Sequence, residues 1–176
     1  IEELWDVYYK SYCQEEDFKN IKNLGLNMIR LPMYYRTFME GPDDALVMRE
    51  DAFERVDWFL EMAKKYDLYV ILDMHHDDHN WLTVACSNKH FKVVKKHFIV
   101  IWEIIANEFK DYGKNLIFEG VNEVIDRTNP EHHDWIGYKK IFYKRLNKLY
   151  NVFIKTVRKF SLNNKERPLM ISTYGA

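Results

Sequence analysis

Cysteine is nearly absent from this chain. Cys13 and Cys86 are the only two among 176 residues, and no metal-binding cysteine spacing exists. The pair could close a disulfide in an oxidising compartment; two free thiols are the preferred reading. Excess charge is absent too. The formal net charge is −1, so no strong electrostatic partner is implied, and nucleic acid least of all. No apolar run is long enough to cross a membrane. No glycine-rich loop follows any apolar run, which leaves a nucleotide-binding sheet without support. The chain opens on Ile1 rather than Met. The native N-terminus is expected upstream, so the lack of a leader segment carries no information.

What is present is a repeated pattern. Four short apolar runs punctuate the sequence: Asn27–Pro32, Tyr69–Met74, Leu116–Val121 and Leu169–Tyr174. They start at residues 27, 69, 116 and 169, which are intervals of 42, 47 and 53 residues. β-branched and aromatic residues enrich them, and each is too short for a helix that buries much. Each also ends in polar side chains: Arg30, then Asp73, His75 and His76, then Asn122 and Glu123, then Ser172, Thr173 and Tyr174.

Helices with one apolar stripe fill the intervals. Phe53, Val56, Phe59, Leu60 and Ala63 form one stripe. Val94, Phe98, Ile101, Trp102, Ile105 and Phe109 form a second. Ile141, Phe142, Leu146, Leu149, Phe153, Ile154, Val157 and Phe160 form a third. All follow the three-and-four spacing of a half-buried helix. Phe18, Ile21 and Leu24 mark a shorter helix that Gly25 should end. Lys139, Lys140, Lys144, Arg145, Lys148, Lys155, Arg158 and Lys159 are read as the solvated outer face of the last long helix. No loop carries a matching basic cluster.

Alternating helices and strands argue an α/β fold with a parallel sheet and right-handed crossovers. Functional-looking polar groups follow several strands rather than one switch point, which favours a (β/α)8 barrel over a doubly wound sheet. At roughly 45 residues per unit, eight units need about 360 residues. The expectation is therefore a partial TIM barrel within one domain, residues 1–176.

In a barrel the C-terminal strand ends hold the chemistry. Asn122-Glu123 closes the run Leu116–Val121, a costly place for a carboxyl without partners or a task. Loop aromatics nearby, Trp81 and Tyr35 first among them, suggest a sugar ligand, whose C–H faces stack on rings while its hydroxyls need polar partners. Two carboxyls flank a glycosidic bond at about 5–5.5 Å in retaining hydrolysis and roughly 6.5–9.5 Å in inverting hydrolysis. Glu119 and Glu123 would lie roughly 13 Å apart along a strand. Glu119 is thus expected to be an inward ion-pair residue with Arg30 or another cation as its partner, and Asp73 a second lining charge that Arg30 could pair. The run His75-His76-Asp77-Asp78-His79 has the residue types for a metal. Its ligands are consecutive, with no spaced set elsewhere. A strand-end histidine that binds hydroxyls is the preferred reading, with no metal. His132 and His133 are read as solvated.

Together these motifs resemble glycoside hydrolase family 5, the cellulase-type barrels of clan A. Ile21–Arg36 is similar to the second strand and its lead-in, with Gly-hydrophobic-Asn before Arg-x-Pro. Tyr69–Trp81 is similar to the third strand with its His-His and following Trp. Leu116–Glu123 is similar to the fourth strand, and Arg167–Gly175 to the fifth. The resemblance covers nearly the whole chain. Val124 stands where the family usually has Pro. Tyr34 and Tyr35 stand where a Trp is frequent.

The resemblance implies roles. Glu123 matches the acid/base, which protonates the leaving oxygen and then activates water. Asn122 matches the residue that bonds the sugar 2-hydroxyl, Arg30 the barrel arginine, and His75 the strand-end histidine. His76, Trp81 and Tyr35 are expected to contact substrate. The family nucleophile, a Glu ending the seventh strand, would lie outside these residues, in the missing half of the barrel. The implied activity is a retaining endo-β-1,4-glucanase, secreted, acting on a β-linked polysaccharide or oligosaccharide without cofactor. A β-mannanase or an exo-β-1,3-glucanase of the same clan is the alternative within enzymes. A non-catalytic carbohydrate-binding half-barrel is the alternative of another class. Without the nucleophile the chain by itself is expected to be inactive, and four strands would leave two open sheet edges, so it is expected to aggregate, dimerise or need its other half.

Overall fold

The computed structural model describes residues 13–35, 39–42, 45–75, 77, 81–126 and 139–175. Element order is α1 (Glu15–Asn23), β1 (Met28–Met33), β2 (Met39–Glu40), β3 (Val47–Met48), α2 (Glu50–Lys65), β4 (Tyr69–Met74), α3 (Asn88–Glu108), β5 (Leu116–Glu119), α4 (Lys140–Val157), α5 (Leu162–Glu166) and β6 (Leu169–Met170). The main sheet has the order β1-β4-β5-β6 and is parallel throughout. Each repeat therefore lays its strand beside the previous one, with no reversal of order. A doubly wound sheet reverses at its switch point; a barrel does not. The remaining strands, β2 and β3, form a two-residue antiparallel hairpin that no sequence pattern announced.

Strand period explains the two faces of the sheet. Leu31 and Met33, Val70, Leu72 and Met74, and Leu116 and Phe118 share one face and are buried in the core. The helical stripes cover that face. All five stripe residues of α2 and all six of the α3 stripe are buried. Trp102 of α3 packs against Phe118 of β5 and Phe153 of α4, with ring centroids 5.6 and 4.4 Å away. Gly120, just past β5, makes the α4 contact possible: a Cβ there would meet the Phe153 ring at 3.0 Å. The opposite face carries Arg30, Ile71, Asp73, Ile117 and Glu119, in line with the register Asp73↔Glu119.

Helix ends follow local chemistry. Ser87 caps α3 by accepting from His90 N at 3.1 Å. Past α1, Gly25 takes φ +79°. Its N–H reaches Lys22 O at 2.9 Å, and Leu26 N reaches Ile21 O at 3.2 Å. That double bond pattern is a Schellman stop, so Gly25 ends the helix as its sequence position implied. After α2 the same pattern recurs with Asp67 at φ 52°, where Leu68 N bonds Ala63 O at 2.9 Å.

Some sequence readings need correction. The last strand stops at Met170 rather than Tyr174. Beyond it, Ser172 and Tyr174 bond sideways: Ser172 Oγ donates to Val121 O at 3.1 Å and Asp126 N donates to Tyr174 Oη at 2.7 Å. On α4, Ile141 and Ile154 are exposed, and Phe160 lies past the helix end. Arg145 is not solvated. It is buried, and its guanidinium donates to Val84 O and Cys86 O at 2.7 and 2.6 Å and to Asn88 Oδ1 at 2.9 Å. It thereby ties the loop after β4 to α4. Arg158 is half-buried and donates to Asn164 O and Arg167 O. Lys139, Lys140, Lys144, Lys148, Lys155 and Lys159 are exposed as expected. Cys13 and Cys86 are free thiols. No helix among the described residues is long and apolar enough to cross a membrane.

Candidate active site

Of the polar residues that ended the apolar runs, Arg30, Asp73, His75 and Asn122 converge at one end of the sheet. Arg30 of β1 is the hub. Its Nε and one terminal nitrogen, Nη2, form a bidentate pair with Glu119 of β5, each at 2.8 Å. The same Nη2 lies 2.8 Å from Asp73 Oδ2 on β4 and 2.9 Å from Asn122 Oδ1 past β5. The Glu119 pair and the field of Asp73 hold the guanidinium above its usual pKa. Both expectations for the lining charges stand: Glu119 and Asp73 each pair with Arg30.

Burial accounts for the pairing. Asp73 is completely inaccessible and Glu119 is 6% exposed. A carboxylate taken out of water needs compensating donors. Glu119 engages Arg30 with both oxygens. Asp73 engages only Oδ2, shared between Arg30 and His75 Nδ1 at 2.6 Å. Its Oδ1 has no hydrogen-bond partner among the described residues. Desolvation outweighs the two contacts and pushes the Asp73 carboxyl up to about 6.

Asn122 is held at two points. Its N–H donates to Met74 O at 2.8 Å, extending the β4–β5 ladder past the strand end. Its Oδ1 accepts from Arg30, which turns the amide nitrogen away from the guanidinium and leaves it as a donor. Glu123, the next residue, is half-buried and lies within the electrostatic field of Arg30. Val124 and Ile125 then turn back into the core. Glu123, the Asn122 amide and the His75 ring thus follow the ends of the adjacent strands β4 and β5.

The loop after β4 is built around Asp77, whose side chain is fully buried. Its carbonyl accepts from Trp81 N and Leu82 N at 3.2 and 3.1 Å. Its Oδ1 accepts the Trp81 indole N–H at 3.0 Å. One face of the Trp81 ring tilts over His97 at 4.3 Å, and the ring stays half-buried. Tyr35 sits differently from the sequence expectation. It is 5% exposed and packs edge-on against Trp81 and His97 at 5.6 and 5.2 Å. It buttresses Trp81 rather than offering a ring face of its own. His76, Asp78, His79, His132, His133 and Trp135 lie outside the described residues. Asp77 and Arg145, which shape this loop, went unrecognised in sequence: neither an aspartate inside a histidine run nor an arginine in a lysine stripe stands out by type or spacing.

Comparison with known proteins agrees with this geometry. The profile of the family Cellulase (glycosyl hydrolase family 5) matches residues 2–176. Endoglucanase B of Neocallimastix patriciarum is 32% identical over 163 residues, covering 92% of this chain and 33% of that protein. A broad-specificity GH5-4 endoglucanase from Clostridium acetobutylicum superposes with a TM-score of 0.83 at 26% identity, covering 93% of this chain and 48% of that one. Its counterpart from Ruminococcus champanellensis, solved with bound cellotriose, gives 0.82 at 28% identity, covering 93% and 46%. The chain spans a third of the first protein and just under half of the two structures. The four-stranded parallel sheet is accordingly part of a TIM barrel, and the chain belongs to glycosyl hydrolase family 5.

Proposed function

We propose that this chain carries the acid/base half of a retaining endo-β-1,4-glucanase. Glu123 protonates the leaving glycosidic oxygen and, as the carboxylate, then activates water against a glycosyl-enzyme intermediate. The nucleophile, a second carboxylate, comes from the rest of the barrel. Asn122 donates its amide hydrogen to the 2-hydroxyl of the sugar at the cleavage point, a bond that strengthens as the oxocarbenium-like transition state forms. Arg30 holds Asn122 in the orientation that makes this donation possible. Trp81 supplies a stacking surface for a sugar ring, and His75 and His76 meet hydroxyls. The substrate is a β-glucan and the protein is secreted.

The observation that carries this reading is the Arg30–Asn122 bond at 2.9 Å, which leaves the amide nitrogen as a donor one residue before Glu123, just past β5. The endoglucanase relatives and the cellotriose-bound neighbour support the substrate class.

The test is Glu123→Gln in the complete barrel. A positioned general acid contributes about 10²–10⁴-fold. Turnover of unactivated β-glucan should fall by at least that lower bound. A substrate with an activated leaving group should lose far less in the first step, since that group departs without a proton. Near-normal turnover of β-glucan by the variant removes Glu123 from the role.

A further inference from the structure

The peptide joining Val121 to Asn122, directly ahead of Glu123, is bound at both ends. Its N–H donates to Met74 O at 2.8 Å, across to β4. Its carbonyl, Val121 O, accepts from Ser172 Oγ at 3.1 Å, across to the segment after β6. Ser172 is itself fixed by Tyr150, a buried residue of α4. The Ser172 N–H donates to Tyr150 Oη at 3.1 Å, and the two hydroxyl oxygens lie 2.8 Å apart. A carbonyl can only accept, so the one serine hydroxyl hydrogen goes to Val121 O and the tyrosine hydrogen goes to Ser172 Oγ. The relay therefore runs in one direction, from α4 through Ser172 to the backbone of Val121.

Two more bonds brace the far side of Glu123. Gly175 N donates to Val124 O at 3.3 Å, and Asp126 N donates to Tyr174 Oη at 2.7 Å. The Tyr174 ring stacks on Phe142 of α4, with centroids 6.3 Å apart and planes 11° apart. Segment 172–175 thus engages the chain at Val121, Val124 and Asp126, on both sides of Glu123.

We propose that Ser172 is a positioning residue for the glycosidase reaction: the relay from Tyr150 through Ser172 to Val121 sets the backbone from which the Glu123 carboxyl reaches the leaving oxygen. The inference rests on the functional reading above. Asn122 has anchors of its own, in Arg30 through its side chain and in Met74 through its N–H. Among the described residues no hydrogen bond reaches the Glu123 carboxyl, so within them its backbone sets its place. Loss of the Ser172 hydroxyl releases the carbonyl side of the peptide while both Asn122 anchors remain. The proton donor should then suffer more than the amide that meets the 2-hydroxyl. A misplacement of about 1 Å can cost about 10²-fold in rate.

The experiment uses the complete barrel protein with Ser172→Ala and reads kcat/KM, which reports the step in which the leaving group departs. A β-glucan needs a proton on its leaving oxygen; a dinitrophenyl β-cellobioside does not. Ser172→Ala should lower kcat/KM for β-glucan by about 10- to 100-fold, and the value for the aryl substrate far less. A serine that only satisfied a buried carbonyl would cost melting temperature and lower both values by the same factor. Equal losses on the two substrates, or an unchanged β-glucan value, overturn the proposal. Amide hydrogen exchange of the wild type decides the matter even if the variant does not fold. The Ser172 N–H should be protected by Tyr150, and exchange at the rate of an unbonded amide overturns the relay. Glu123→Gln run in parallel keeps the two readings apart. Without a split between the substrates there, the acid/base reading falls and this proposal with it. A split there and none in Ser172→Ala refutes the positioning role alone.

Discussion

Replacing Arg167 should cost stability without touching the reaction. Arg167 is fully buried just ahead of β6, with no carboxylate among its partners in the described residues. Its guanidinium instead donates to the carbonyls of Phe109, Tyr112, Gly113 and Leu116 at 2.9, 2.6, 3.1 and 2.7 Å, and to Asn164 Oδ1 at 2.8 Å. The cation also sits 4.6 Å from the centroid of Phe118. Backbone carbonyls after α3 and at the start of β5, together with the Asn164 side-chain amide of α5, are thus gathered by one side chain. Arg167→Met fills a similar volume and removes every donor. Five bare acceptors at the low end of about 1 kcal/mol each lose about 5 kcal/mol. Burial pulls the Arg167 pKa down to about 10, well below the ordinary guanidinium value, so relief of the ionic cost returns about 3 kcal/mol. The net loss is at least about 2 kcal/mol, and more where the carbonyls stay dry. Urea unfolding followed by tryptophan fluorescence should show a lower midpoint at unchanged slope. A loss below about 1 kcal/mol would refute the reasoning, because it would mean that water or rearrangement satisfies those carbonyls at no cost.

Three further outcomes follow from the packing and the charges. Gly120→Ala places a methyl 3.0 Å from the Phe153 ring, and thermal denaturation should register an overpacking cost of about 1–3 kcal/mol. Asp67→Gly relieves a left-handed residue at φ 52° and should raise stability by roughly 0.5–1 kcal/mol. The substitution also removes the ion pair with Lys22, but that pair is exposed and worth little. For Asp73 the folded pKa is raised to about 6. The folded state therefore binds that proton more tightly than the unfolded chain does. Its contribution to stability is full below the ordinary carboxylate pKa and is lost as pH rises through about 6. The difference in melting temperature between Asp73→Asn and wild type should accordingly grow in favour of the variant between pH 4 and pH 8. A flat difference would contradict the sign.

Much of this architecture was legible because burial leaves a period. The runs at Tyr69–Met74 and Leu116–Val121 are apolar on both faces, as central parallel strands must be, and the helical stripes of α2 and α3 are buried at every expected position. The ion pairs of Arg30 were legible for a different reason: a charge inside an apolar run needs a partner, and few candidates existed. Arg145 and Arg167 were not legible. Both bind carbonyls, which every residue owns, so no partner type betrays them. Arg145 was further hidden by the lysines around it. Tyr35 misled because a tyrosine past a strand end has the same composition signal whether it faces a ligand or props up the ring that does. Strand ends were overrun for a related reason: Ser172 and Tyr174 keep β-like composition while their hydrogen bonds leave the sheet.

Arg30 also has a consequence for how the sheet assembles. Its partners sit on two other strands, Asp73 on β4 and Glu119 and Asn122 on and just past β5. A slip of one residue in any of the three strands would turn its contribution to the opposite face. Two buried carboxylates would then be stranded without their cation. The guanidinium works as an alignment pin, since only one mutual register of β1, β4 and β5 lets it close all of its bonds. A misaligned sheet would lose the site and a large part of its stability together, so no well-folded form with the wrong register is left to compete.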